Sequence, residues 1–124
     1  MKQIPKISDT EWQVMKIVWS KWPITANQVI DELAGKADWK PKTIKTLLGR
    51  LVAKKALGFE KENRTYSYFP AVMENECIKA ESRSFLKRVY DGALGPMLVN
   101  FLEEEQLSGE EIDELKRILD RKKG

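Results

Sequence analysis

The segment from Pro41 to Lys54 reads Pro-Lys-Thr-Ile-Lys-Thr-Leu-Leu-Gly-Arg-Leu-Val-Ala-Lys, and its apolar residues recur at helical spacing. Positions i, i+3, i+4 and i+7 share one face of a helix. The residues with this spacing are Ile44, Leu47, Leu48 and Leu51. Proline is favoured at the first helical position, where its missing N–H has no helical partner to lose. We therefore predict a helix that begins at Pro41 and buries one apolar face.

The opposite face of this predicted helix carries cations and no acid. Its positions are Lys42, Thr43, Lys45, Thr46, Gly49, Arg50, Ala53 and Lys54. A solvated helix normally mixes both signs of charge, which support each other. A purely basic face with small residues is instead typical of a surface that approaches phosphate closely. An ordinary lysine-rich surface is the alternative interpretation.

Two further helices are predicted before this one. Ser8 and Glu11 have the spacing of a capping box, in which each side chain satisfies a backbone N–H of the other residue. An apolar-rich stretch follows this box. Thr25 and Gln28 repeat the spacing, and the second helix is expected to stop at Gly35.

The pattern changes from helical to alternating after this basic helix. Residues 57–61 and 65–69 are rich in aromatic and β-branched side chains, and they flank the polar turn Glu62-Asn63-Arg64. Such a pattern predicts a two-stranded hairpin. Three helices followed by a hairpin are the order of a winged helix-turn-helix, in which the third helix reads DNA and the hairpin is the wing. We assign this domain to residues 1–71.

Residues 72–124 are predicted to form a second, helical region with three apolar stripes. A segment this short leaves much of its apolar surface uncovered by itself, and a second copy of the chain is the simplest cover. We therefore predict a mainly α protein, with the winged helix-turn-helix followed by a three-helix dimerisation region. The predicted dimer contacts are Phe85, Leu86, Val89, Leu94, Leu98, Phe101, Leu102, Ile112, Leu115 and Leu119.

Composition excludes several classes of protein. The chain has no histidine, which excludes His-based acid–base catalysis and His metal ligation. Its single cysteine, Cys77, excludes an internal disulfide framework and a thiolate metal cluster within one chain. No apolar run approaches the roughly 18 residues of a membrane span. We expect a soluble cytoplasmic protein that is not an enzyme, is not inserted in a membrane and uses no metal or cofactor.

Positive charge is concentrated in the N-terminal part. Residues 1–70 carry 13 basic and 7 acidic side chains, whereas residues 71–124 carry 9 and 12. Cations that neutralise duplex phosphates give salt-sensitive affinity, and the first turns of a recognition helix read base edges. We therefore predict double-stranded DNA as the partner. The predicted DNA-contacting residues are Lys40, Lys42, Thr43, Lys45, Thr46, Arg50, Lys54 and Arg64.

Two alternatives stay open on the residues alone. Arg64, at the tip of the hairpin, either reaches phosphate or an adjacent minor groove, or is a solvated turn residue. A helical adaptor that binds no DNA is the rival from another class, with the acidic C-terminal part as its binding module. Binding to duplex DNA over a salt series separates this adaptor from a DNA-binding protein.

Several strings resemble the BlaI/MecI penicillinase-repressor family along essentially the whole chain. They are Ile7-Ser-Asp-Thr-Glu-Trp12, Met15-Lys-Ile-Val-Trp19, Trp39-Lys-Pro-Lys-Thr-Ile44, Tyr66-Ser-Tyr68 and Met97-Leu-Val-Asn-Phe101. The resemblance implies a homodimeric winged-helix repressor that binds palindromic operators of genes for a β-lactamase or a penicillin-binding protein and for their regulators. It also implies relief through a membrane-bound sensor metalloprotease pathway, with cleavage of the bond between Asn100 and Phe101.

Two residues depart from the family pattern. Ala56 and Asn63 both stand where the family usually has glycine. A glycine at position 56 would permit a left-handed helix end, which alanine tolerates poorly, whereas asparagine at the wing tip accepts that conformation better. The wing conformation is therefore left open.

The related copper-responsive CopY-type branch shares Asp38-Trp39-Lys40, but residues 120–124 lack its cysteine-rich metal hook. We keep that branch as a second alternative.

Overall fold

The computed structural model describes residues 3–36 and 38–124. These residues form a mainly helical fold with a small antiparallel sheet, in the order predicted for a winged helix-turn-helix and a helical tail. The elements are α1 (Asp9–Lys21), β1 (Ile24–Thr25), α2 (Ala26–Leu33), α3 (Pro41–Ala53), β2 (Leu57–Glu62), β3 (Thr65–Pro70), α4 (Glu74–Tyr90), α5 (Leu94–Glu104) and α6 (Gly109–Lys123).

Side-chain caps define where the helices begin. The Ser8 hydroxyl accepts a hydrogen bond from the Glu11 amide at 3.3 Å, and the Glu11 carboxylate accepts one from the Ser8 amide at 2.9 Å. The predicted capping box at the start of α2 forms in the same way, and the structure shows another at the start of α6, between Ser108 and Glu111. Pro41 occupies the first turn of α3. These local predictions are confirmed.

The core of the N-terminal part lies between the first three helices and the sheet. The four apolar residues of α3 predicted to face inward are all buried, with exposed fractions of 3% or less. They pack in one cluster with residues of the other elements, such as Met15, Val29 and Leu57. This packing turns the basic face of α3 outward.

The sheet contains a strand that the sequence analysis missed. β1 pairs with β3, so the strand order is β1-β3-β2, and the register places Ile24 opposite Tyr68 and Thr25 opposite Ser67. A strand of two residues is too short to show an alternating pattern. The pairing joins the start of α2 to the wing.

The predicted difficulty at Ala56 does not arise. The left-handed residue at the end of α3 is Lys55, with φ of 67°, and the Ala56 amide donates to the Leu51 carbonyl at 2.9 Å, which closes the helix end. Ala56 itself is fully buried. At the wing tip, Asn63 adopts a φ of 60°, a conformation that asparagine tolerates.

By compactness the chain divides into two units, Met1–Ser82 and Arg83–Gly124. Val72 and Cys77 belong to the buried core of the first unit. The division predicted between residues 71 and 72 stays a prediction.

None of the described helices combines the length and the apolar character needed to cross a membrane.

Candidate nucleic-acid interface

The outward face of α3 is a continuous basic surface. Most of the residues predicted to contact DNA are exposed, namely Lys40, Lys42, Thr43, Lys45, Thr46, Arg50 and Arg64. The hydroxyl of Thr46 donates to the carbonyl of Lys42 at 2.9 Å. This bond occupies the hydroxyl proton. The methyl group is then the part of Thr46 left for a contact outside the chain, such as packing against a thymine methyl.

Gly49 lies in the middle of this face. A methyl group added at Gly49 would have no described atom of the chain within 4 Å. Packing within the protein therefore does not require glycine at this position. A surface that DNA approaches closely would require it, because glycine lets a second molecule come near the backbone.

Lys54 differs from the other predicted DNA contacts. Its ammonium donates to the Glu11 carboxylate at 2.6 Å and to the Lys6 carbonyl at 2.9 Å. Only 2% of the surface of Glu11 is exposed. A buried carboxylate needs a cation beside it, so the structure gives Lys54 a partner within the protein. Lys54 thereby ties the C-terminal end of α3 to Glu11, and its predicted contact with phosphate stays a prediction.

The environment of Glu11 favours its charged form. Burial by itself would raise the pKa of this carboxyl, but the hydrogen bonds from Lys54 and the Ser8 amide, with the charge of Lys54, outweigh burial and hold the pKa below its ordinary value. Glu11 is therefore ionised at neutral pH and keeps Lys54 in place.

A groove of about 400 Å³ lies between the start of α2, the side of α3 and the wing. Its cationic side chains are Lys45 from α3 and Arg64 from the turn of the wing. Its other lining residues are Thr25, Ala26, Asn27, Thr65, Tyr66 and Tyr68. The sequence analysis selected both cations but none of these neighbours, because the β1–β3 pairing that brings them together was not predicted.

Aromatic contacts stiffen the wing beside this groove. The rings of Phe59 and Tyr66 meet edge to face, with centroids 5.0 Å apart, and the Lys61 ammonium lies 5.5 Å from the Tyr66 ring centroid. Burial, followed by the influence of Tyr66, raises the pKa of Tyr68. The contacts with Phe59 and Lys61 hold the exposed ring of Tyr66 in a defined position on the wing.

The predicted dimer contacts lie in a part of the chain that has no core of its own. All residues of Arg83–Gly124 are described, and none of them is buried. Of the predicted contacts, Phe85, Leu86 and Leu98 are half-buried, whereas the exposed ones are Val89, Leu94, Phe101, Leu102, Ile112, Leu115 and Leu119. Folded proteins rarely leave so many large apolar side chains in water.

The bond predicted to be cleaved lies inside α5, and α4 holds the side chains on both sides of it. The Asn100 amide donates to the Tyr90 hydroxyl at 2.8 Å. The Phe101 ring stacks on Phe85, with centroids 6.3 Å apart and planes inclined by 27°. The peptide between Asn100 and Phe101 is thus helical and supported from both sides.

Three helices, a hairpin wing and an acid-free basic third helix define the class of winged-helix DNA-binding proteins. The model of the penicillinase repressor family matches residues 7–121 of the chain. The chain belongs to the penicillinase repressor family, which confirms the resemblance found in its sequence motifs.

Individual relatives agree with this assignment. The chain is 50% identical over 123 residues to the penicillinase repressor of Bacillus licheniformis, covering 99% of this chain and 96% of the relative. It is 40% identical over 117 residues to the methicillin resistance regulatory protein MecI of Staphylococcus aureus, covering 94% and 95%.

Two solved structures share the winged-helix part. The DNA-binding domain of the repressor BlaI aligns with a TM-score of 0.55 at 47% identity, covering 61% of this chain and 93% of that one. BlaI of Bacillus licheniformis, solved in monomeric form with the blaP half-operator, aligns with a TM-score of 0.54 at the same identity and coverage.

Proposed function

We propose that this chain is a transcriptional repressor that binds operators of β-lactam-resistance genes. The observation that carries the proposal is the exposed, acid-free face of α3 in a member of the penicillinase repressor family. The half-operator complex of the related BlaI supports the choice of DNA as ligand. Such a repressor acts where the bacterial chromosome lies, in the cytoplasm, and its role is regulatory rather than catalytic.

The outward residues of α3 divide by their position and chemistry. Lys42, Thr43 and Thr46 lie in the first turns of the helix, the part that reads base edges when a recognition helix enters the major groove. Lysine donates to guanine acceptors, and a threonine methyl packs on a thymine methyl. Arg50 lies further along the same face and contacts phosphate.

The repressor acts as a homodimer, with the second copy covering the apolar side chains of Arg83–Gly124. Support comes from the lack of any buried residue in this unit, in which Val89 and Leu119 are each 57% exposed. Two linked DNA-binding units bind a palindrome tightly because the second contact becomes effectively intramolecular. A monomer would lose this advantage.

Scission at the bond between Asn100 and Phe101 would relieve repression. We assign it to the protease of a membrane-bound β-lactam sensor pathway. The cut separates Phe101, Leu102 and the whole of α6 from the DNA-binding unit, and with them most of the exposed large apolar side chains of Arg83–Gly124. The remaining fragment keeps its reading helix but loses its partner.

Binding of a fluorescent blaP operator duplex tests the DNA assignment. We expect saturable binding whose affinity falls steeply as salt rises, and much weaker binding to a scrambled duplex. Lys42→Ala should reduce the preference for the operator over the scrambled duplex by about tenfold, since a good base contact contributes about 1–3 kcal/mol. The control is Lys79→Ala, an exposed lysine on α4. Equal affinity for both duplexes, or no binding at all as expected of a helical adaptor, would refute the proposal.

Sedimentation equilibrium tests the dimer. Leu119→Asp places a charge on the exposed apolar face of α6, and we expect it to shift the protein to monomer and to weaken operator binding by about a hundredfold. Asp120→Ala, on the same helix, should leave both properties unchanged. A wild-type protein that stays monomeric at high concentration would contradict the assignment.

A further inference from the structure

The ammonium of Lys54 joins the C-terminal end of α3 to two fixed points in the N-terminal part of the chain. It donates to the Glu11 carboxylate at 2.6 Å and to the Lys6 carbonyl at 2.9 Å. Glu11 lies in the first turn of α1, and Lys6 precedes Ile7, a core residue that is 5% exposed. Because close-packed cores resist local displacement, both acceptors are held in place.

The backbone of Lys54 is part of the end of α3. Its amide donates to the Arg50 carbonyl at 3.0 Å, and the Ala56 amide donates to the Leu51 carbonyl at 2.9 Å. The Lys54 side chain therefore leaves directly from the last hydrogen-bonded turn, with no loop in between. At its other end, among the described residues, α3 has no side-chain cap on its first turn. This polar anchor thus lies at the C-terminal end of α3.

The length of α3 makes the position of its C-terminal end important for its start. The helix has 13 residues, which span about 20 Å. The proposed base-reading residues Lys42, Thr43 and Thr46 lie at the end opposite to Lys54. A tilt of α3 about its C-terminal end would displace these residues most. Hydrogen bonds to base edges need distances of about 3 Å and good alignment, so a small tilt is enough to break them.

A buried ion pair is better suited to fixing a geometry than to adding net stability. An apolar pair of the same volume is often as stable or more so, whereas a charge-assisted hydrogen bond requires a defined direction and distance. Only 3% of the Glu11 side chain and 33% of the Lys54 side chain are exposed, so water competes little for the carboxylate. The pair can therefore hold α3 at one angle.

We propose that Glu11 is a positioning residue for operator recognition, which acts through Lys54 to fix the angle at which α3 meets DNA. The inference rests on the proposed function. It gives a DNA-binding role to a buried acid on α1, outside the basic face of α3. It also assigns the Lys54 ammonium to Glu11 rather than to a phosphate, and these two roles of Lys54 predict different responses to salt.

Affinities for the operator and the scrambled duplex, measured in parallel on the full-length wild type, Glu11→Gln and Lys54→Met, test the positioning role. Glu11→Gln removes the charge but keeps the size of the side chain and an acceptor oxygen. We expect each variant to lose about tenfold in operator affinity, as for one good base contact. Affinity for the scrambled duplex should stay at the wild-type value, because nonspecific phosphate contacts tolerate a tilted helix. A loss of stability alone would lower both affinities by the same factor.

The double variant separates positioning from stability. In Glu11→Gln with Lys54→Met no buried charge is left, so its free energy of unfolding should exceed that of Lys54→Met. Its operator affinity should stay as low as that of either single variant, because both changes remove the same contact. Additive losses of affinity, or an affinity that recovers together with stability, would overturn the inference.

The salt dependence separates positioning from a direct phosphate contact. The slope of log operator affinity against log salt should stay at the wild-type value in Glu11→Gln and Lys54→Met, since neither loses a phosphate contact. A slope lowered by about one in Lys54→Met alone would assign Lys54 to a phosphate and overturn the inference. Lys16→Met is the matched control: it also removes a lysine paired with a carboxylate, that of Glu74, but this pair is exposed, and both affinities should stay unchanged.

The outcomes distinguish this inference from the proposed function. A wild type that does not prefer the operator to the scrambled duplex refutes the proposed function and, with it, the positioning role. A wild type that prefers the operator, together with a Glu11→Gln variant that keeps the full preference, overturns the positioning role alone.

Discussion

The Lys54 ammonium donates a 2.6 Å hydrogen bond to the buried carboxylate of Glu11, and this ion pair ties the C-terminal end of α3 to the first turn of α1. Glu11 also completes the capping box with Ser8. One carboxylate thus secures both the start of α1 and the end of α3, so the orientation of α3 depends on an acid outside it.

Removing one partner of this pair should destabilise the protein more than removing an exposed pair. We expect Lys54→Met to lower the free energy of unfolding by about 2–3 kcal/mol, because it leaves the Glu11 carboxylate buried without a cation. Because the Lys54 side chain is 33% exposed, we expect a smaller loss than breaking a fully buried ion pair would cause. Urea unfolding measures it.

The control for this prediction is Lys16→Met, which breaks an ion pair with Glu74 whose side chains are 55% and 40% exposed. Its loss should be about 0.5 kcal/mol or less. The double variant Glu11→Gln with Lys54→Met should recover part of the stability, because no buried charge is left. Equal losses in Lys54→Met and Lys16→Met would refute a structural role for Lys54.

The same carboxylate predicts a pH dependence of stability. The pKa of Glu11 is lower in the folded protein than its ordinary value, so its contribution is complete above the ordinary pKa and is lost as the pH falls through the lowered one. We expect the stability of the wild type to decline more steeply in this acidic range than that of Glu11→Gln. Parallel declines of unfolding free energy in the two proteins would contradict the prediction.

Gly49→Ala should separate stability from DNA binding. Alanine is the better helix former, so the melting temperature should rise, by an amount equivalent to about 0.5–1 kcal/mol. Operator affinity should fall, since the new methyl group lies on the face proposed to meet DNA and has no described atom of the chain within 4 Å. Thermal melts and operator titrations measure the two effects. Unchanged affinity would mean that DNA does not approach α3 at this point.

Gly58→Ala should weaken the wing. An added methyl group would lie 2.5 Å from the Phe69 ring, and overpacking of this kind costs about 1–3 kcal/mol. Unfolding of Gly58→Ala, of Phe69→Leu and of the double variant measures the coupling between the positions. We expect the double variant to lose less than the sum of the single ones. Additive losses would rule out the clash as the cause.

Tyr90→Phe should make the proposed scission site easier to cut. The change removes the hydrogen bond from Asn100, and a net loss of about 1 kcal/mol multiplies the unwound population about fivefold. Limited digestion with thermolysin, followed by mass spectrometry, measures the rate of cutting between Asn100 and Phe101. Cuts elsewhere in the chain serve as the internal control. An unchanged rate would show that the hydrogen bond does not restrain α5 here.

The helices and the hairpin were predictable because their signals are local. A capping box depends on residues three positions apart, and a buried helical face depends on residues three and four apart. The Ser8 box, the start of α3 at Pro41 and the outward position of Lys42 follow from such spacings. Family resemblance added the expected partner and the scission site, which no spacing in the chain indicates.

Contacts between distant segments had to come from the folded structure. Lys54 lies 43 positions from Glu11 in the chain, and no local pattern tells a lysine that meets a buried carboxylate from one that faces solvent. The groove brings Thr25, Lys45 and Arg64 together only because β1 pairs with β3. Periodicity assigns a side chain to a face of its own helix, whereas packing of the whole chain determines which charge from another element it meets.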